Sequence, residues 1–190
     1  MEHRISTHQS QRCSICHKLD NCDTVSLGRQ SMAQKLSRAL PRRFVESSAL
    51  NAVGVWFYSV TTDRYLYLLR NDDRHPGTWG LPGGKCHKNE TLIDTIHREC
   101  VEEIGFWPQE IKLVPIEKFT SPDGHFSYHT FFCSVAGEFV PQLNEEHHGY
   151  AWIDSSTWPK PLHPGLWSTV NFEEVKQKMI TVQQQYQTSQ

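Results

Sequence analysis

Gly84-x5-Glu90-x7-Arg98-Glu99-Cys100-x-Glu102-Glu103-x-Gly105-Phe106 is the stretch that decides how this chain folds and what it does. Glu99, Glu102 and Glu103 are spaced i,i+3 and i,i+4, so a helix brings all three carboxylates onto one face within a single turn. Like charges at those spacings cost a few tenths of a kcal/mol per pair on an exposed helix. A divalent cation turns that cost into a site, because Mg²⁺ takes oxygen ligands and joins carboxylates to substrate phosphates.

Working outward, the helix has its own start and stop signals. Thr91 followed by Asp94 is a capping-box-like beginning, and Gly105 supplies a left-handed end. Ile93, Ile96, Cys100 and Ile104 recur at helical spacing as an apolar stripe, with Glu103 at its border. Arg98 can pair with Asp94 or Glu102 at i±4, or reach Glu90, and each pairing would orient a carboxylate. Taken alone, E-x-x-E-E reads equally well as a solvated acidic face. Upstream, Trp79-Gly80-Leu81-Pro82-Gly83-Gly84-Lys85 is a strand end entering a loop whose glycines let backbone approach a ligand closely.

Loop, acidic helix and terminal glycine together resemble the Nudix box, the signature of hydrolases acting on nucleoside diphosphates linked to another group. Every fixed position is matched; Cys100 stands where the family usually has a larger aliphatic residue, a role a buried Cys can fill. The resemblance implies an α/β fold, a Nudix-type α/β/α sandwich with a mixed β-sheet. It implies Mg²⁺ or Mn²⁺ held by Glu99, Glu102 and Glu103 with the Gly83 carbonyl. It also implies that Arg98 orients Glu99, that Glu90 fixes the loop, and that Glu102, Glu99 or a later acid is the general base. Asn144-Glu145-Glu146-His147-His148-Gly149-Tyr150-Ala151-Trp152-Ile153 resembles the segment that brings that later acid to the metals. Glu146 is the first choice there and Glu145 the second, with His147 a base or substrate contact; a solvated acidic turn is the plain alternative.

Arg70, at a strand end, and Lys85 are placed to meet phosphate. Trp79, Phe119, Phe126 and Tyr128 are candidates to stack a base, although aromatics at strand spacing are more often core. His75-Pro76-Gly77-Thr78-Trp79 resembles the form common in enzymes of small nucleotides, which favours a nucleoside triphosphate or nucleotide sugar as the small-molecule partner. A nucleotide-sensing domain without turnover is the second function class, and an RNA-directed pyrophosphohydrolase using the N-terminal extension is a third. An isomerase of the same fold is disfavoured by the intact box and the lack of an isomerase motif.

The 190-residue chain is 37% hydrophobic and 11% aromatic, enough for one core. A net charge of −2 gives no electrostatic case for general nucleic-acid binding. No apolar run approaches the ~18 residues of a membrane span, and the N-terminus lacks the apolar core of a secretory signal, so the expectation is a soluble cytoplasmic protein. Nothing in the sequence specifies an oligomer. Of six cysteines, Cys86, Cys100 and Cys133 fall in a cytosolic-looking domain and are expected to be reduced.

Three segments are expected. Residues 1–48 form a polar extension with a short basic helix over Ser31–Leu40, residues 49–160 the catalytic domain, and residues 161–190 a helical tail packing on it. In the extension, Cys13, Cys16, His17 and Cys22 are candidate Zn²⁺ ligands, with His3 or His8 as alternatives to His17, although adjacent Cys16 and His17 point apart. Such a module would give Arg38, Arg42 and Arg43 a role with RNA. Strands are expected over 52–60, 65–70, 111–119, 126–135 and 150–154, and a terminal helix over 171–187 with Phe172, Val175, Met179 and Val182 facing inward.

Overall fold

Why the acidic helix forms is visible at its ends. The computed structural model describes residues 49–108 and 112–188; the basic helix and the Cys13, Cys16, His17, Cys22 zinc set lie outside them. Helix α1, Leu92–Ile104, begins at Thr91, whose hydroxyl accepts from the Asp94 amide at 3.1 Å while the Asp94 carboxylate takes the Thr91 amide at 3.0 Å. It ends at Gly105 with φ 86°, a conformation that suits glycine. Ile96, Cys100 and Ile104 are fully buried, each aliphatic contributing ~1.5–3 kcal/mol. Ile93 departs from the expected stripe: it is 49% exposed, because the buried face is rotated toward Thr95 and Glu103, and Leu92 packs on the core instead.

The strands are β1 Leu50–Ser59, β2 Arg64–Arg70, β3 Trp79–Gly80, β4 Leu113–Thr120, β5 Phe126–Val135 and β6 His147–Asp154. They form one six-stranded mixed sheet in which β1 pairs β5 in parallel and the remaining pairs are antiparallel. Along one edge of β2 runs β6; along the other, β1 pairs only at Tyr58–Tyr65 and Ser59–Arg64, and β3 takes over at Leu68 and Leu69. Where β1 and β2 part, the Gly-rich loop fills the space, its Pro82 and Gly84 carbonyls accepting the Val55 and Val53 amides at 2.9 and 2.8 Å.

Strand alternation sends Val53, Val55, Phe57, Leu66 and Leu68 to one face, where α1 covers them. Trp56, Tyr58, Tyr65, Tyr67 and Phe132 go to the other, covered by α2, Pro164–Val170, and α3, Glu173–Gln187. This is the α/β/α sandwich that the box implies. Helix α2 falls within the expected helical tail of 161–190 but precedes the terminal helix placed at 171–187; Pro164 in the first turn is tolerated because its missing N–H has no intrahelical partner there. Helix α3 starts later than expected, and Phe172 is its 51% exposed cap rather than a core position. Strand β6 starts earlier, at His147, because the carbonyls of Glu145 and Glu146 are held by Asn71. Cys86, Cys100 and Cys133 are free thiols. Among the described residues no helix is long and apolar enough to cross a membrane.

Phe132 joins both ends of the second core, meeting Tyr58, Tyr65 and Tyr186 at ring distances of 5.6, 6.3 and 5.7 Å. Phe132→Ala is expected to lose ~3–5 kcal/mol of stability in urea unfolding, whereas the exposed Ile93→Ala is expected to change it by less than about 1 kcal/mol.

Candidate active site

The loop and the helix are locked together through their polar atoms. The Gly83 amide donates to Glu103 Oε2 at 2.7 Å, and the Gly83 carbonyl accepts no hydrogen bond among the described residues. Neither glycine has room for a side chain. A Cβ on Gly83, whose φ is 145°, would lie 2.1 Å from the Val53 carbonyl oxygen, and one on Gly84 would lie 2.2 Å from Glu99 Oε1. Arg98 closes the assembly from the other side. Its guanidinium grips Glu90 with two bonds, Nε to Oε1 at 2.8 Å and Nη2 to Oε2 at 3.2 Å. It also donates from Nη1 to Glu99 at 2.8 Å and Glu102 at 3.1 Å, and from Nη2 to the Lys85 carbonyl at 3.0 Å. Of the pairings open to Arg98, that with Asp94 is not made, because Asp94 is occupied by the cap.

Burial separates the three helix carboxylates. Glu103 lies inside the core at 3% exposure, while the Glu102 side chain is 52% exposed and that of Glu99 13%. Burial pushes Glu103 well above the usual carboxylate range, Glu99 and Glu146 add to that, and the Gly83 amide and Arg70 oppose it. Burial likewise raises Glu99, against the pull of Arg98. Arg98 leads the groups that hold Glu90 down at about 2.

Glu146 is exposed, in the turn before β6, and its charge is felt by both Glu99 and Glu103. His147 is buried, with Nε2 3.7 Å from Glu103 Oε1. Asn144 Oδ1 accepts from the Glu146 amide, so the His147 Nδ1 that meets the same oxygen at 3.3 Å is the donor. Burial and the nearby Arg70 hold His147 down at about 4. In the neutral ring Nε2 therefore presents a lone pair toward the Glu103 carboxyl.

That arrangement suits a hard divalent cation: the carboxylates of Glu99, Glu102, Glu103 and Glu146, a Gly83 carbonyl that accepts no hydrogen bond among the described residues, and a buried Glu103 with no Lys or Arg ion pair among them. Among the described residues no three His, Cys, Asp or Glu side chains already converge into a formed metal centre.

Around this cluster the structure gathers some expected substrate residues and not others. Arg70 is pinned by Asp72, its Nε 2.5 Å from Oδ2, and its charge reaches Glu103, Tyr128 and His147. Tyr128 lies in the same neighbourhood, its hydroxyl so close to Gly54 that a Cβ there would lie 2.0 Å away. Trp79 is half-buried and packs on the second core, with its amide and carbonyl taken by Pro161 and His163. The Lys85 side chain is exposed, and its carbonyl is the part bound to Arg98. Asp72, Asn144 and Gly54 were not singled out in the sequence. A mid-strand glycine is a sign of close approach that would have marked Gly54, whereas Asp72 and Asn144 matter only through contacts made after folding.

Residues 50–171 match the NUDIX domain family. This chain belongs to that family. NUDIX relatives include a Mycobacterium tuberculosis protein named provisionally as 8-oxo-dGTP diphosphatase 3, 35% identical over 47% of this chain and 44% of its own length. The chain thus spans less than half of that relative. An Escherichia coli protein named nucleoside triphosphatase NudI is 31% identical over 47% of this chain and 72% of its own. The NUDIX fold is shared with the M. smegmatis Nudix hydrolase RenU, at TM-score 0.53 and 21% identity, over 72% of this chain and 85% of that one.

Gly83→Ala is expected to cost at least ~2 kcal/mol in urea unfolding, since it adds strain at a positive φ to a clash with backbone. Burial works to raise Asp72, but the His75 and Arg74 amides and Arg70 outweigh it and bring the carboxyl down to about 2. A carboxyl lowered on folding stabilises above its ordinary value of 3.8 and loses that contribution as pH falls toward 2. The stability gap between the native chain and Asp72→Asn is therefore expected to be constant near neutrality and to shrink below about pH 4.

Proposed function

We propose that this chain hydrolyses a phosphoanhydride bond in a nucleoside diphosphate-linked substrate with Mg²⁺ or Mn²⁺. The observation that carries the reading is Arg98 holding Glu90, Glu99 and Glu102 while Gly83 holds Glu103, which fixes the carboxylates of one helix turn beside the Gly-rich loop. Glu99, Glu102, Glu103, Glu146 and the Gly83 carbonyl would hold the cation, which when bound would supply charge against the phosphate oxygens and lower the pKa of the attacking water.

The chain's own groups do the remaining work. Glu102 is assigned the water proton: Arg98 fixes one of its oxygens and leaves the other open to solvent, with Glu99 and Glu146 as the alternative acceptors. The water oxygen bonds to phosphorus, the bridging P–O bond breaks, and the bridging oxygen leaves on the departing phosphate. Arg70, kept in place by Asp72, meets the phosphate oxygens, and Tyr128 and His147 line the wall beside it. In this reading residues 49–160 are the catalytic domain and 161–190 cover its second face. A nucleoside triphosphate is the favoured substrate, supported by the names of the relatives above, and a nucleotide sugar is the second.

The test is turnover of a panel of nucleoside triphosphates, nucleotide sugars, ADP-ribose, dinucleoside polyphosphates and capped RNA, with products resolved by chromatography and the attacked phosphorus located with ¹⁸O-water. Glu102→Gln is expected to lower kcat at least ~100-fold with little change in KM. Binding without turnover across the panel would instead make the domain a nucleotide sensor.

A further inference from the structure

We propose that Asn144 and Asn71 are positioning residues for Glu146: they set the turn before β6 so that its carboxylate is delivered to the cation site of Glu99, Glu102 and Glu103. The inference rests on the cation-dependent reading above. Glu146 is exposed, and its side chain makes no hydrogen bond or ion pair among the described residues, so its backbone alone places it. That backbone is held at both of its polar atoms. Asn144 Oδ1 accepts from the Glu146 amide at 3.1 Å, and the Asn71 amide donates to the Glu146 carbonyl at 2.8 Å.

The same two asparagines hold the residues on either side. Asn71 Nδ2 donates to the Glu145 carbonyl at 3.0 Å. Asn144 takes His147 twice, its Oδ1 meeting Nδ1 and its carbonyl accepting the amide, each at 3.3 Å. The sheet adds a third restraint. Leu69 pairs with Gly149 and Arg70 with His147, so His148 is left over as a bulge, and His147 turns inward to 6% exposure. Asn71 itself lies between Arg70, assigned to the substrate phosphate, and Asp72, which pins that guanidinium. One stretch of chain therefore carries the phosphate contact and fixes the acid turn.

A turn that only joined two elements would need none of this. Ordering exposed backbone costs conformational entropy, and here the order secures something unfavourable in itself, since the Glu146 charge bears on both Glu99 and Glu103. Holding like charges in reach of one another becomes useful when a cation joins them. Groups that fix a ligand from behind are as much part of such a site as the ligand. The two asparagines divide the work by chemistry, Asn144 with an accepting oxygen and Asn71 with donating N–H groups.

Mn²⁺ alone, titrated into the full chain and followed by the electron paramagnetic resonance of the free ion, reads this arrangement without turnover. Glu146→Gln and Asn144→Ala are each expected to weaken Mn²⁺ binding about tenfold. Asn71→Ala, which keeps the main-chain bond, is expected to weaken it about threefold. Asn144→Ser, whose hydroxyl can still accept from the Glu146 amide, is expected to stay within about twofold of the native chain. The deciding measurement is made in the Glu146→Gln background. There Asn144→Ala is expected to cost less than about twofold more, because a residue that acts through Glu146 has nothing left to position. Should Asn144→Ala lose native spectral dispersion, Asn71→Ala carries the same cycle. An undiminished loss in the Glu146→Gln background, or unchanged affinity in both alanine variants, would overturn the positioning role and leave the cation site standing. A native chain that binds no Mn²⁺ would overturn both.

Discussion

The hydrogen bonds from the Val53 and Val55 amides to the Gly84 and Pro82 carbonyls are the constraint on which this molecule depends. They make the Gly-rich loop a stand-in for the neighbouring strand after β1 and β2 have parted. Backbone lies against backbone so closely that Gly83 has no room for a Cβ, one on Gly84 would meet the Glu99 carboxylate, and in this packing the Gly83 amide reaches Glu103. From that bond follow the depth of Glu103, the position of Glu99 over Gly84, and the reach of Arg98 to the Lys85 carbonyl.

The carboxylate cluster is an electrostatic debt within the fold. One guanidinium serves three acids, and the fourth, Glu103, is buried with an amide and a distant imidazole for company. A core that only needed stability would place an apolar residue at that position. The rest of helix α1 is arranged to tolerate the burden: its cap is fully bonded, its end is a glycine, and Ile96, Cys100 and Ile104 are buried at i,i+4 spacing.

Much of this was legible in the sequence because it is local. The cap, the glycine stop, the extent of β5 and the meeting of loop with helix follow from residues close together in the chain. Glu103 was placed only at the border of the stripe, because a pattern that counts glutamate as polar cannot see that loop backbone waits to receive it. Ile93 was placed inside for the converse reason. Lys85 and Trp79 were chosen by residue type, whereas the fold uses the backbone of one and the packing surface of the other. Asp72 gains its meaning from Arg70, and Asn144 from His147, through side-chain contacts that residue type alone does not signal. The residues before 49, where the zinc ligands were sought, lie outside the description.

The parallel pairing of β1 with β5 sets the order of events as the chain leaves the ribosome. A parallel neighbour cannot follow by a hairpin, and here the loop, the acidic helix and β4 are all synthesised between the two strands. The helix can coil early, since its cap is local, but the face of the sheet it must cover is incomplete until β5 arrives. Non-local closure of this kind slows folding and leaves apolar surface bare in the meantime. The nascent chain therefore carries its acidic helix and the apolar face that helix must cover side by side until β5 arrives.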